Sequence, residues 1–236
     1  MKIIEKKDNK LIFIVEANES LLNSIRRYAN QIPILAVDEI EISKNDSPLY
    51  DETIAHRIGL IPLKNENKAK GKLKLNVKKE GIVYSDELKG DIKVIYDKIP
   101  ITLLDKSQEL ELVANVKTGK GSEHSKFSPG LIFYRNVFEI KADKNCPKEV
   151  IENCPRNILK LKDGKIIVED NFKCDSCEAC VEFCKKNGKE AIEVVPTKEL
   201  LVTLESFGQL SVEDMFKKSI EVLKKDLAEL SKKLSK

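Results

Sequence analysis

Hydrophobic and polar residues alternate at two different periods along this chain, and the change of period divides it into elements. Ile3-Ile4 and Leu11–Val15 are short apolar runs on either side of the turn-like Lys7-Asp8-Asn9-Lys10, the pattern of a strand pair. The capping cluster Asn18-Glu19-Ser20 then opens a helical spacing, Leu22, Ile25 and Ala29, with Pro33 as its stop. Val37, Ile40 and Ile42 return to a strand-like alternation. Leu73–Val77, Ile92–Tyr96, Ile101–Leu104, Leu110–Val116 and Leu200–Leu204 read as further strands. The strongest periodic signal comes last. Phe216, Ile220, Leu223, Leu227, Leu230 and Leu234 recur at intervals of 4, 3, 4, 3 and 4, a narrow seam on one helix face. Ser211 with Asp214 three residues later caps its start. A helix over Val212–Leu234 is about 34 Å long at ~1.5 Å per residue. Such a seam packs either on its own domain or against a second chain, and its length favours the second chain.

Composition narrows the function. The 236 residues carry 42 Lys+Arg against 39 Asp+Glu, a net charge of +3, which argues against a protein whose main task is to grip nucleic acid. Two histidines leave little scope for histidine-based acid–base chemistry, and no nucleophile–base pairing or phosphate-binding loop is visible. His56 and His124 read as polar turn or interface residues. Apolar runs of about five residues fall far short of the ~20 needed for a membrane helix, and no leader segment is apparent. The expected location is the cytoplasm, where cysteines persist as thiols or metal thiolates.

All six cysteines lie between Cys146 and Cys184. Cys174-x2-Cys177-x2-Cys180-x3-Cys184 is the most specific chemical motif, because cysteines at intervals of three can wrap one face of an iron–sulfur cubane. The remaining iron needs a distant ligand, and Cys154-Pro155 offers one. Between them Ile158–Val168 reads as a helix end, a strand, an Asp163-Gly164 turn and a second strand, as in half a ferredoxin. Cys154, Cys174, Cys177 and Cys180 are therefore expected to hold a 4Fe-4S or 3Fe-4S cluster, leaving Cys146 and Cys184 spare or available for a disulfide. Zinc, a disulfide network and a vestigial module that binds nothing stay open as other readings.

Several segments resemble one family, the D subunits of archaeal RNA polymerase, counterparts of the bacterial alpha subunit's amino-terminal domain and of the third-largest subunit of eukaryotic RNA polymerase II. Asn23-Ser24-Ile25-Arg26-Arg27-Tyr28 resembles the family's first-helix motif, and Asp51-Glu52-Thr53-Ile54-Ala55-His56-Arg57-Ile58-Gly59-Leu60-Ile61-Pro62-Leu63 its most specific signature. Glu123–Pro129, with Phe127 where tryptophan is common, and Glu205–Ser211 are similar to two more family segments.

The resemblance implies an α+β fold with a split dimerisation domain (residues 1–45 and 196–236) and an inserted, mostly β domain (46–195). Residues 143–190 of the inserted domain would form a ferredoxin-like iron–sulfur subdomain. It implies a non-catalytic scaffold of DNA-directed RNA polymerase, with the nucleotidyl-transfer site in other chains. The first and last helices would pair with the small L subunit, giving Phe216, Ile220, Leu223, Leu227 and Leu230 their partner. The pair would then join the small N and P subunits and anchor the large catalytic subunits. Arg26, Arg27, Asp51, Glu52, His56 and Arg57 would lie near interfaces with the larger subunits, with little direct nucleic-acid contact. The competing reading is a free ferredoxin-like electron-transfer protein, which leaves nearly 200 residues without a purpose.

Overall fold

The structure is a computed structural model that describes residues 1–64, 70–143 and 145–235. Among the described residues it is an α+β chain of strands and four α-helices. In chain order these are β1 (Lys2–Lys7), β2 (Lys10–Glu16), α1 (Glu19–Tyr28), β3 (Pro33–Asn45), α2 (Asp51–Gly59), β4 (Lys70–Val77), β5 (Gly81–Tyr84), β6 (Lys89–Gly90) and β7 (Pro100–Leu104). There follow β8 (Leu110–Lys120), β9 (Gly130–Ala142), β10 (Leu159–Lys162), β11 (Lys165–Val168), α3 (Ala179–Lys186), β12 (Ile192–Ser206) and α4 (Val212–Leu234). The sheets run β1-β2-β12-β9 and β3-β8-β4-β6, with β5–β7 and β10–β11 as two-stranded pairs. Two compact units result: residues 1–4, 12–19 and 133–203, and residues 5–11, 20–132 and 204–236.

The second unit is organised by the long β3–β8 ladder, which runs from Pro33↔Lys120 to Asn45↔Leu110. On β8 alternate residues Leu110, Leu112, Ala114 and Val116 turn inward, and β4 sets Leu73 opposite Ala114 and Leu75 opposite Leu112. α2 covers this face with Ile54 and Ile58, both fully buried four residues apart, which is one helical turn. The ladder breaks between Val37 and Glu39, a bulge that frees Asp38 from the pleat. Its carboxylate takes Lys117 Nζ at 2.6 Å and Lys126 Nζ at 2.7 Å.

The structure differs from the sequence expectations at particular elements. Pro33 does not stop a helix; it begins β3, and α1 has already ended at Tyr28 before a short 3-10 turn over Ala29–Gln31. Proline at a first strand residue costs no ladder bond that matters. Ile92–Tyr96 is not a strand: Val94 forms a single bridge with Leu63, while Ile92 and Val94 are buried. The apolar pattern there reports burial, and pairing does not follow from it. β9 and helices α2 and α3 carry no pattern clean enough to announce them.

Candidate functional sites: a cysteine centre and two exposed helix faces

The cysteine segment belongs to the first unit. A 3-10 turn over Lys148–Ile151 leads to Cys154, whose carbonyl accepts Asn157 N at 3.0 Å. The chain then forms the β10–β11 hairpin, Leu159↔Val168 to Lys162↔Lys165. Asp163 and Gly164 both have positive φ (51° and 75°), the requirement of a two-residue type I′ turn. Asp170 caps the next turn by accepting Phe172 N at 2.9 Å, and Cys174 follows.

From Cys174 to Cys180 the backbone bends twice through left-handed conformations, at Ser176 (φ 56°) and Glu178 (φ 57°). Neither residue is glycine, so the loop holds local strain that its surroundings must fix. Two arginines do part of that work. Arg135 donates to the carbonyl oxygens of Cys174 and Phe172. Arg156 reaches Asp175 Oδ2 through both Nε and Nη2 at 2.7 Å, which holds the Asp175 carboxyl below the usual carboxylate range.

Cys154, Cys174, Cys177 and Cys180 line one small pocket with Ile158 and Val194. Cys154, Cys174 and Cys180 are buried and Cys177 is exposed. Cys146 and Cys184 lie elsewhere, side by side and buried with Sγ···Sγ 3.8 Å, as free thiols. Burial pushes the Cys180 thiol up to about 11 and raises Cys174. Cys146 is pushed up to about 12, by burial first and then by its contact with Cys184. Among the described residues no three His, Cys, Asp or Glu side chains are gathered so as to grip a single metal ion. The four thiols fit an iron–sulfur cluster in type and number, since a cubane spreads its thiolates over separate irons. The pocket they enclose has room for about one water molecule, so a cluster requires the loop to widen.

The helices belong to the other unit. α4 opens with Ser211 Oγ accepting Asp214 N at 3.1 Å, the cap expected from the sequence. Val212, Met215, Ser219 and Leu223 are buried and anchor its first half. Phe216 and Ile220 are half-buried. The seam then emerges: Leu227 is 55% exposed, Leu230 53% and Leu234 79%. The helix thus packs on its own core with one stripe and presents the end of a second, Leu223 belonging to both. On α1, Leu22 and Ile25 are buried, Leu21 is 51% exposed, and Tyr28 bonds Asp226 of α4.

Arg26 and Arg27 are exposed, Arg26 bonding Asn23 Oδ1 through Nη2 at 2.9 Å. Asp51, Glu52, His56 and Arg57 all sit on the exposed side of α2, two acids in its first turn and two bases in its last, complementing the helix dipole. Arg57 Nη1 also donates to Ile101 O at 2.8 Å, and Asp51 accepts Asn45 Nδ2 at 2.7 Å. His124 is a local cap, its Nδ1 accepting Lys126 N at 3.1 Å.

A helix anchored by one stripe and exposing a second of leucines has the face of a chain built to pack against another protein. No helix among the described residues is long and apolar enough to cross a membrane. The profile of the RNA polymerase Rpb3/RpoA insert domain matches residues 64–134. The chain is 35% identical to DNA-directed RNA polymerase subunit Rpo3 of Archaeoglobus fulgidus, over 98% of this chain and 96% of the relative. It is 32% identical to the Rpo3 subunit of Methanosphaera stadtmanae, over 94% of each. DNA-directed RNA polymerase II subunit rpb3 of Dictyostelium discoideum is 27% identical over 98% of this chain. The chain belongs to the Rpo3 family of DNA-directed RNA polymerase subunits. A likeness that spans almost the whole chain disfavours a free electron-transfer protein, which accounts for the cysteine segment alone.

Proposed function

We propose that this chain is a non-catalytic assembly platform of the polymerase, pairing with the small L subunit through α1 and α4. The pair then joins the small N and P subunits and anchors the large catalytic subunits in the cytoplasm. Residues 1–45 and 196–236 form the split dimerisation domain, and 46–195 the inserted domain. The observation that carries the reading is the leucine seam: Leu227 and Leu230 stay more than half exposed on a helix whose first half is anchored. Each leucine buried on pairing contributes about 1.5–3 kcal/mol. Replacing both by aspartate should weaken pairing with the L subunit by more than about a hundredfold. The isolated chain should keep its unfolding midpoint, because both sites are exposed. Co-purification with coexpressed L subunit reads the outcome; undiminished pairing of the double variant sinks this arrangement. Arg26, Arg27, Asp51, Glu52, His56 and Arg57 face the larger subunits, and their charge changes affect a later step of assembly.

Cys154, Cys174, Cys177 and Cys180 hold an iron–sulfur cluster, four-iron or three-iron, in a ferredoxin-like subdomain over residues 143–190. When bound, it supplies cross-links between the Cys154 turn and the Cys174–Cys180 loop. The thiols must deprotonate to ligate, so loading releases protons and is favoured as pH rises. Arg135 and Arg156 orient the loop from outside. Anaerobically purified protein should carry about three to four irons. A colourless or zinc-loaded preparation contradicts the assignment.

A further inference from the structure

Cys146 and Cys184 take no part in the four-thiol pocket, and they face each other. Their Sγ atoms stand 3.8 Å apart, Cys146 is 9% exposed and Cys184 1%, and both are free thiols. The backbone holds them as neighbours from both sides. Asp143 N donates to Ala191 O at 2.8 Å, and Cys146 N to Asp143 O at 3.1 Å. Past the end of α3, Lys189 N donates to Cys184 O at 3.0 Å. A disulfide needs its sulfurs ~2.0 Å apart, so each side chain has only about 1 Å to travel.

The pair sits at the two ends of the segment. Cys154, the β10–β11 hairpin, the Cys174–Cys180 loop and the start of α3 all lie between residues 146 and 184. Those parts have little to hold them closed. A two-stranded hairpin of four-residue strands is marginal by itself. Ser176 and Glu178 keep left-handed backbone without being glycine. Such a segment opens locally, and opening brings its buried thiols to solvent. A covalent link across its ends opposes that opening, because it confines the open chain far more than the closed one.

We propose that Cys146 and Cys184 are a redox-operated tie, two thiols that a hydroperoxide converts to a disulfide when the segment opens and that a dithiol converts back. Cys146, the more exposed, reacts first: its sulfur takes one oxygen from hydrogen peroxide, giving the sulfenic acid and one water. The Cys184 sulfur then bonds to that sulfur, and the hydroxyl leaves with the Cys184 proton as a second water. Two electrons pass from the thiols to the peroxide, and one S–S bond replaces two S–H bonds. A dithiol returns two electrons and two protons and is itself left as a disulfide. Because the tie encloses the other four cysteines, it keeps their pocket assembled while no iron is bound. That use rests on the cluster reading, whereas the tie itself does not.

The test uses the full chain, reduced and stripped of iron under anaerobic conditions, then given hydrogen peroxide and digested without reductant. Mass spectrometry should find one cross-linked peptide pair, Cys146 with Cys184, which dithiothreitol reverses. In the oxidised chain, amide exchange across residues 145–190 should slow by about tenfold or more relative to the reduced chain. Cys146→Ser and Cys184→Ser should each lose both responses. If both thiols stay reduced after Cys154, Cys174, Cys177 or Cys180 has oxidised, the tie is overturned. A cross-link from either thiol to one of those four overturns it as well. So does a Cys146–Cys184 disulfide that leaves exchange unchanged, the result expected of a pair that only packs. Iron is measured beforehand on the anaerobically purified chain. Its absence removes the cluster reading and the tie's use, and the peptide and exchange results still decide the tie.

Discussion

Two hydrophobic cores in this chain are built on different principles. The core under β3, β8, β4 and α2 consists of aliphatic side chains from the sheet strands, from α2 and from the loop after it, among them Val37, Ile54, Ile58, Leu63, Leu73, Ile101, Leu110 and Ala114, each essentially sealed from solvent. The core of the cysteine segment has Val150, Ile158 and Leu159 at its centre, and five of its buried members are cysteines. Its β10–β11 hairpin has strands of four residues, β9 and β12 add only Ile140 and Ile192 to its buried members, and its loop contains two strained non-glycine positions. Area removed from water stabilises the first core on its own. The second has a smaller aliphatic share, and the proposed cluster would add cross-links between its parts.

The largest expected effect separates the two directly. Stripping iron with a chelator under anaerobic conditions, or replacing Cys177 and Cys180 by serine, should abolish slow amide exchange across residues 145–190. Protection in β3, β8 and β4 should remain. Hydrogen exchange by mass spectrometry reads both at once. Persistent protection of the β10–β11 hairpin in iron-free protein would show that the small core suffices. The converse perturbation is Ile58→Ala. With Ile58 fully buried between α2 and the sheet, it should cost about 2–5 kcal/mol and lower the unfolding midpoint of that unit, with iron content unchanged.

The same contrast explains what is legible in the amino-acid sequence. α4 can be read to the residue because its stripe is long and its cap is local: Ser211 and Asp214 are three apart, and nothing distant is needed to place them. The cysteine motif is legible as a pattern because it depends on spacing, and Cys154 lies in one pocket with the triplet despite nineteen intervening residues. β9 escapes notice because its burial pattern is irregular, with Tyr134, Arg135 and Asn136 all half-buried in succession. α2 escapes as a helix because two buried isoleucines in nine residues make too short a periodicity.

A smaller effect tests whether the sheet core needs the ion-pair network at Asp38, on the bulge between Val37 and Glu39. Lys117 and then Lys126, through their hydrogen bonds, hold the Asp38 carboxyl below its ordinary value. Its folded-state pKa is depressed, so its contribution is fully present above the unfolded carboxylate range, near ~3.9, and is lost as pH falls through the folded value. Asp38→Asn should therefore cost about 1 kcal/mol at pH 7, and wild type and variant should converge in strongly acidic solution. Denaturant midpoints across pH 2–7 check this. A difference that persists undiminished in acid would assign the loss to packing at the bulge.

An effect of similar size lies inside the cysteine core and separates its thiols by role. Cys146 and Cys184 stand 3.8 Å apart, both buried, and neither lines the pocket formed by the other four. With its thiol pushed up to about 12, Cys146 is protonated at neutral pH and behaves as a small apolar side chain. Cys146→Ala or Cys184→Ala then removes one buried sulfur, a loss of about 1–2 kcal/mol by the usual cost of a small cavity. Iron content should stay at the wild-type level. Cys180→Ala should remove the iron, although Cys180 lies only one helical turn before Cys184 on α3. Iron per chain, measured on the three variants side by side, decides the point. Loss of iron in the Cys184→Ala protein would move that residue into the ligand set and displace one of the four.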